Sequence, residues 1–318
     1  ISASFSKFAD YIDITVRPQP TFTVVQKSPQ TNIAGPLPAD VADPSKRYVR
    51  IAPKSIIDLD VTATLDGLPV DVSAAAVWSF DAPADPSLSN DTTALINSTV
   101  GLITAVDAST PLRPLTARAT FPTCGQSVAA TVVVAPLTGL TIARQFGTNP
   151  LIVGNSELFV ATGQFGDGGP GQDLSAQAVF TSSTPTTAAF SSNLLGIGNL
   201  LTGLLAGQVD VSATYNAGTA AVPVNVSTPT PALSIATQTG TLTDIAFDTS
   251  SGFDPSTTPP TISILAGAST IVPLTVIGSY TLPDMTMITQ PINRIVQFTS
   301  SNTTIVQVSN ATLTRGEI

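Results

Sequence analysis

One passage recurs along this chain and constrains its fold more than any single residue. Val209–Pro229 reads VDVSATYNAGTAAVPVNVSTP, Leu115–Pro136 reads LTARATFPTCGQSVAATVVVAP, and Ile1–Pro18 reads ISASFSKFADYIDITVRP. Each places a small residue, then Ser or Thr, then an aromatic: Ala213-Thr214-Tyr215, Ala119-Thr120-Phe121 and Ala3-Ser4-Phe5. Each then runs through a turn into a Val/Ile-rich stretch that ends at Pro229, Pro136 or Pro18. Apolar alternation at period two around a turn is the pattern of a β-hairpin. A hairpin that returns at intervals marks an array of small β units, each closed by the same element.

The segments between the hairpins repeat in order. After a Pro-rich entry holding the strand Thr21–Gln26, Ser55–Leu65 alternates cleanly and turns at Asp66-Gly67. Val70–Phe80 follows and carries the chain's one Trp, Trp78; Ala94–Asn97 and Leu102–Val106 are short strands. The second unit opens at Leu140–Ala143 and continues through Glu157–Phe165 and the turn Gly166–Gly171 to Asp173–Ser182, with Phe180 in the place of Trp78. The third is expected to open at Leu233–Ala236 and to carry a Thr/Pro-rich insertion over Thr239–Pro260. Ser269–Tyr280, Arg294–Ser301 with Phe298 in the aromatic place, and Thr304–Val308 complete it without a closing hairpin. The expected divisions are 1–18 (a closing hairpin), 19–136, 137–228 and 229–318. Strands at 8–12-residue spacing predict an all-β chain of tandem β-sandwiches, and the lack of helical periodicity excludes parallel α/β folds.

These units resemble bacterial immunoglobulin-like domains of the group-2 type, found in intimins, invasin-like adhesins and other large surface proteins. Three passages carry the resemblance. Gly154-Asn155-Ser156 leads into Leu158–Gly163, echoed by Gly267-Ala268-Ser269 before Leu274–Gly278. An aromatic-Thr-Ser-Ser passage follows a turn and strand at Asp167–Ser183 and recurs as Phe298-Thr299-Ser300-Ser301-Asn302. Leu201–Gly207 precedes Val209–Tyr215 and its return strand. The middle unit fits best, and the first departs at Phe80-Asp81, where the family has Ser-Ser. The resemblance implies immunoglobulin-like Greek-key sandwiches in an elongated array, an extracellular or bacterial cell-surface location, and a spacer, stalk or surface-array role. Fold alone does not fix function.

Composition narrows the chemistry. Charged residues make up only 10% of the chain, and the net charge of −9 is spread thinly. No basic cluster marks a nucleic-acid partner. There is no histidine and one cysteine, Cys124. Ser-His-Asp and Cys-His catalysis, Cys/His zinc sites and an internal disulfide are therefore excluded. No nucleotide-binding Gly loop stands between a strand and a helix; Gly166–Gly171 reads as a hairpin turn. The reading is of a non-enzyme with no catalytic, cofactor or metal residues and no cofactor. Asp58, Asp60, Asp66 and Asp71 are the densest acidic group and read as solvated residues on a strand's outer face, not as a calcium site. Trp78, Phe180 and Phe298 read as core anchors, not as sugar-stacking residues. The most apolar run, Leu194–Ala206, is too short and too Gly-broken to span a membrane. Lysines stop at Lys54, which excludes Lys–Asn isopeptide staples in the later units.

Three roles fit: a structural subunit of a filament, stalk or surface array; an adhesin binding surface glycans or proteins; or an accessory region of a secreted enzyme. The expected partners are further immunoglobulin-like domains of the same chain or copies of it, joined head to tail. The candidate assembly element is the first hairpin, with Phe5, Phe8, Tyr11, Ile12, Ile14 and Val16, which would complete a third unit that lacks one. Thr312–Ile318 followed by Ile1–Pro18 reads much like Leu200–Pro229.

Overall fold

The computed structural model describes residues 2–5, 8–11, 20–27, 34–36, 48–65, 68–82, 93–106, 114–145, 147, 149–166, 170–191, 198–218, 225–228, 233–248 and 274–310. These are strands and turns; the one helical element among them is the three-residue 3-10 turn Ser73–Ala75.

The first sandwich packs two sheets face to face. One runs Ala34–Pro36, Thr21–Lys27, Ile56–Leu65, Leu102–Ala105, Ala94–Ile96, with Leu68–Asp71 also against Ile56–Leu65. The other runs Tyr48–Ile51, Gln126–Val134, Pro114–Phe121, Val77–Phe80. Its first pair is parallel, and Pro114–Phe121 and Gln126–Val134 form the closing hairpin. Alternation sets the core. Leu59, Val61 and Ala63 are buried on one sheet, and Ala117, Ala119, Val132 and Val134 on the other, around Trp78.

The second sandwich repeats this order. Leu137–Arg144, Ser156–Phe165, Leu200–Gly203 and Ala188–Phe190 form one sheet, with Gln172–Asp173 against Ser156–Phe165. Leu151–Ile152, Leu233–Gln238, Gly207–Asn216 and Val179–Ser182 form the other, and Asn225–Ser227 also pairs with Gly207–Asn216. Two antiparallel sheets in this order, with a short strand parallel to the last, are the immunoglobulin arrangement.

The local devices match residue by residue. Asp71 Oδ1 and Asp173 Oδ1 accept the main-chain N–H of Ser73 and Ser175, both at 2.9 Å. Those serine hydroxyls accept the N–H of Val61 (2.8 Å) and Ala161 (2.9 Å), and Asn293 Oδ1 accepts that of Val276 (2.7 Å). Trp78, Phe180 and Phe298 each lie five residues beyond that side chain and are 1%, 7% and 7% exposed.

Two sequence expectations change. Leu233–Gln238 does not open the third unit: it pairs with Gly207–Asn216, from Val211↔Leu233 to Gly207↔Thr237, and closes the second. The third opens at Thr241–Phe247, inside the supposed insertion, as a strand beside Val276–Thr281. Only Thr239 and Gly240 separate these strands, so one continuous Thr-rich alternation hides the end of one sheet and the start of the next. The outer-face reading also fails for Asp60, which is 8% exposed within the first sheet.

The third sheet has three strands, Thr241–Phe247, Val276–Thr281 and Met287–Pro291. Residues 296–300, expected as a strand around Phe298, run without ladder pairing. In the other sandwiches the equivalent strand pairs with the first arm of the closing hairpin, and no such arm exists here among the described residues. Near residue 1, Ser2–Phe5 and Phe8–Tyr11 form a separate two-stranded sheet, with Phe5 paired to Phe8. Ile12, Ile14 and Val16 lie outside the described residues.

Candidate assembly interface

The features that repeat between units lie at the junctions. The closing strand of the first sandwich ends at Val134 and the first strand of the second begins at Leu137; the next junction has Gln238 and Thr241. Each connector is two residues long, too short for a free linker. Ala135 N–H donates to Ile51 O (3.0 Å), and Val153 N–H donates to Gln238 O (2.9 Å).

A glutamine from the following unit clamps a turn of the preceding one at both junctions. The turn after Ile51 closes with Ser55 N–H donating to Ala52 O (3.0 Å); the turn after Leu151 closes with Asn155 N–H donating to Ile152 O (2.9 Å). Lys54 (φ 65°) and Gly154 (φ 91°) take the left-handed position in them. Gln172 Oε1 accepts Ala52 N–H at 2.6 Å, and Gln172 Nε2 donates to Ser55 Oγ at 2.9 Å. Gln290 Oε1 accepts Ile152 N–H at 3.3 Å and Asn155 Nδ2–H at 3.0 Å. Both glutamines are 4% exposed. Each sits opposite a glycine, Gly163 or Gly278. A Cβ at Gly163 would lie 2.7 Å from Leu137 and Leu174, so close packing requires glycine there.

A tyrosine adds a second tie. Tyr215 Oη donates to Pro53 O at 2.5 Å across the first junction, and Tyr280 Oη accepts from Asn155 Nδ2 at 2.9 Å across the second. Apolar packing is continuous as well. Ala52 belongs to the second core cluster and Ile152 to the third. Burial pushes the Tyr215 hydroxyl from 10 up to about 12, opposed by a smaller lowering effect of Ser55. The folded value lies above the unfolded one, so this contribution to stability is complete below about pH 10 and is lost as pH rises toward 12. An alkaline titration followed by hydrogen exchange at Ala52 is expected to show the junction loosening in that window. Tyr215→Phe should lack the step, and an unchanged step in that variant would assign it elsewhere.

The remaining sequence candidates sit apart from the junctions. Trp78 is paired across from Ala119 and Phe180 from Ala213, both inside closed sandwiches, with no free ring face for a sugar. Phe298 lies 6.4 Å from the ring of Phe247. Phe5, Phe8 and Tyr11 are strand residues of the first hairpin. Cys124 is exposed in the turn that Gly125 (φ 67°) closes. Asp66 lies outside the described residues, and Asp71 is engaged with Ser73. Among the described residues no three His, Cys, Asp or Glu side chains gather to hold a metal ion, and no helix is long and apolar enough to cross a membrane. After Val77–Phe80, Arg118 grips Asp81 with two bonds of 2.7 and 2.6 Å, and that hydrogen bonding holds the Asp81 carboxyl below its ordinary value.

The third unit ends in a cleft. About 910 Å³ lies between its sheet and residues 296–308, lined by Ile245, Phe247, Val276, Val296, Phe298 and Val308. All of Thr241–Phe247 is exposed, whereas the equivalent Leu137–Arg144 has a residue buried and four half-buried. Phe247 is 50% and Ile245 52% exposed.

The fold thus defines two closed immunoglobulin-type sandwiches in series and a third that is open among its described residues. No protein-family model matches the chain, and no curated protein matches it. Solved structures similar to it include domains 4–9 of the surface layer protein SbsC, with 12% identity and a TM-score of 0.28 over 88% of this chain and 39% of that one. Protocadherin Gamma B7 extracellular cadherin domains 1–4 match with 13% identity and a TM-score of 0.22 over 68% of this chain and 49% of that one. A chimeric titin Z1Z2 matches with 12% identity and a TM-score of 0.24 over 69% and 96%. The chain spans half or less of the first two. The module assignment rests on strand order and register, not on these likenesses.

Proposed function

We propose that the chain is a non-enzymatic structural segment of an extracellular or cell-surface filament, stalk or array, in which immunoglobulin-like modules act as a stiff series. The observation that carries this reading is the repeated junction: a two-residue connector, a buried glutamine clamp and a tyrosine tie. Buried polar groups that are fully partnered specify one arrangement, since any other leaves them unsatisfied. Such a series holds its modules at fixed spacing, which is what a spacer or load-bearing strut requires. The divisions proposed here are a hairpin over Ser2–Phe5 and Phe8–Tyr11, modules at 19–136 and 137–240, and a third from 241 onward. Removing the clamp with Gln172→Ala leaves Ala52 N–H buried without its acceptor, at a cost of about 1–3 kcal/mol. The distance distribution between spin labels on the first and second modules tests the reading, narrow in the native chain and broadened in this variant.

A further inference from the structure

Asn-X-Ser/Thr triplets occur at Asn90, Asn97, Asn225, Asn302 and Asn310. Such a triplet accepts an N-linked glycan where it falls on an exposed loop of a secreted protein, and a Ser/Thr-rich chain produces others by chance. The fold sorts these five. Asn310 is half-buried and spent on structure: its Oδ1 accepts Phe298 N–H and its Nδ2 donates to Phe298 O, both at 2.8 Å. Asn225 lies in the strand Asn225–Ser227, and the Ser227 hydroxyl pairs with that of Thr214 on the neighbouring strand (3.2 Å). Asn90 lies outside the described residues.

Asn97 and Asn302 are different, and they match each other atom for atom. Both are exposed, and each opens a tight turn, with Gly101 N–H donating to Asn97 O and Val306 N–H to Asn302 O, both at 3.1 Å. Asn97 Oδ1 accepts Thr99 N–H at 3.0 Å and the Thr99 hydroxyl at 2.8 Å. Asn302 Oδ1 accepts Thr304 N–H at 3.1 Å and the Thr304 hydroxyl at 2.6 Å. The amide oxygen is thus held inward by the triplet's own threonine, and Nδ2 has no partner among the described residues. An apolar β-branched residue follows in each turn and is left exposed, Val100 at 51% and Ile305 at 77%. The Asn97 turn also lies at the open edge of the first sandwich. Trp78 N–H donates to Ser98 O (2.8 Å), and Val77–Phe80 and Ala94–Ile96 are each the last strand of their sheet. A bulky hydrophilic chain at that place would cover apolar surface and block pairing of the edges with another chain.

We propose that Asn97 and Asn302 are N-glycosylation sites and that the remaining described triplets are not. The proposal rests on the extracellular reading above. The donor is an oligosaccharide on a lipid pyrophosphate. Nδ2 forms a bond to the anomeric carbon of the sugar, the anomeric C–O bond breaks, the lipid pyrophosphate leaves, and the Nδ2 proton passes to a base of the transferase. The threonine hydroxyl on Oδ1 stabilises the charge that gathers on the amide oxygen as that proton departs.

Glycopeptide mass spectrometry with electron-transfer fragmentation, on the full chain recovered from the cells that make it, tests this. The peptides holding Asn97 and Asn302 are expected to carry sugar on the asparagine, and those holding Asn225 and Asn310 to be bare. Thr99→Val should abolish the glycan at Asn97 and leave the one at Asn302, Thr304→Val should do the reverse, and Thr99→Ser should retain both. Bare Asn97 and Asn302 on a chain found outside the cell overturn the proposal and leave the structural reading standing. Sugar on Thr99 or Thr304 in place of the asparagine, or a glycan at Asn97 that survives Thr99→Val, also overturns it. A chain confined to the cell interior with both asparagines bare rejects the extracellular reading together with the proposal.

Discussion

Replacing Trp78 by Ala should lower the stability of the first module by about 3–5 kcal/mol. The indole is 1% exposed and occupies the centre of the first core, between Leu59, Ile103 and the small residues Ala117 and Ala119. The packing on its edge is fixed by backbone. A Cβ at Gly101 (φ +68°) would lie 2.2 Å from Leu59 O and 2.8 Å from the Trp78 ring, so the loop cannot close over a cavity without distorting that turn. Poor relaxation puts the expected cost toward the upper end of the range. Trp78→Phe should cost much less. The indole Nε1–H is buried without a hydrogen-bond partner, and removing it offsets part of the lost volume. Phe180 already fills the equivalent place in the second module. Since Trp78 is the one tryptophan, unfolding is best followed by circular dichroism and hydrogen exchange. A loss under about 1 kcal/mol would contradict a core role.

The second large effect is expected at a buried ion pair in the second module. Arg144 reaches across from its strand to Glu157, with Nε at 2.8 Å and Nη2 at 2.5 Å from Oε2, and it also donates to Asn149 O. The two side chains are 10% and 2% exposed. Arg144→Met strips both bonds from a carboxylate that has no solvent to replace them and should cost about 3–5 kcal/mol. The double replacement Arg144→Met with Glu157→Leu removes the buried charge as well and should recover most of that loss. Thermal unfolding of the single and double variants provides the comparison. If the double variant is no more stable than Arg144→Met alone, the loss arises from packing or from the Asn149 contact.

Much of the architecture was legible because strand alternation and hairpin turns are local. Leu59, Val61 and Ala63 are inward because the period is two, and the all-β reading follows from such runs. The shared spacing of Trp78, Phe180 and Phe298 after a turn could be read for the same reason. What escaped is non-local. Gln172 and Gln290 look like solvent-facing residues of short strands, and only the turn of the preceding module shows that they are clamps. The nearest sequence signal was Gly154-Asn155-Ser156, which marks the clamped turn without revealing its partner. Leu233 and Thr241 were misassigned because the pattern crosses a two-residue connector without a break in alternation. Asp60 reads as exposed in a period-two count, yet it is 8% exposed, beside Val25 of the neighbouring strand Thr21–Lys27.

The central claim, a series of modules held at fixed spacing by their junctions, is tested most directly by double electron–electron resonance. Val77 and Val179 occupy equivalent strand positions and are 49% and 57% exposed, which suits them to labelling. With Cys124→Ser, Val77→Cys and Val179→Cys, the expected result is one narrow distance distribution that broadens on adding Gln172→Ala. A distribution already broad in the chain with Gln172 intact would contradict it.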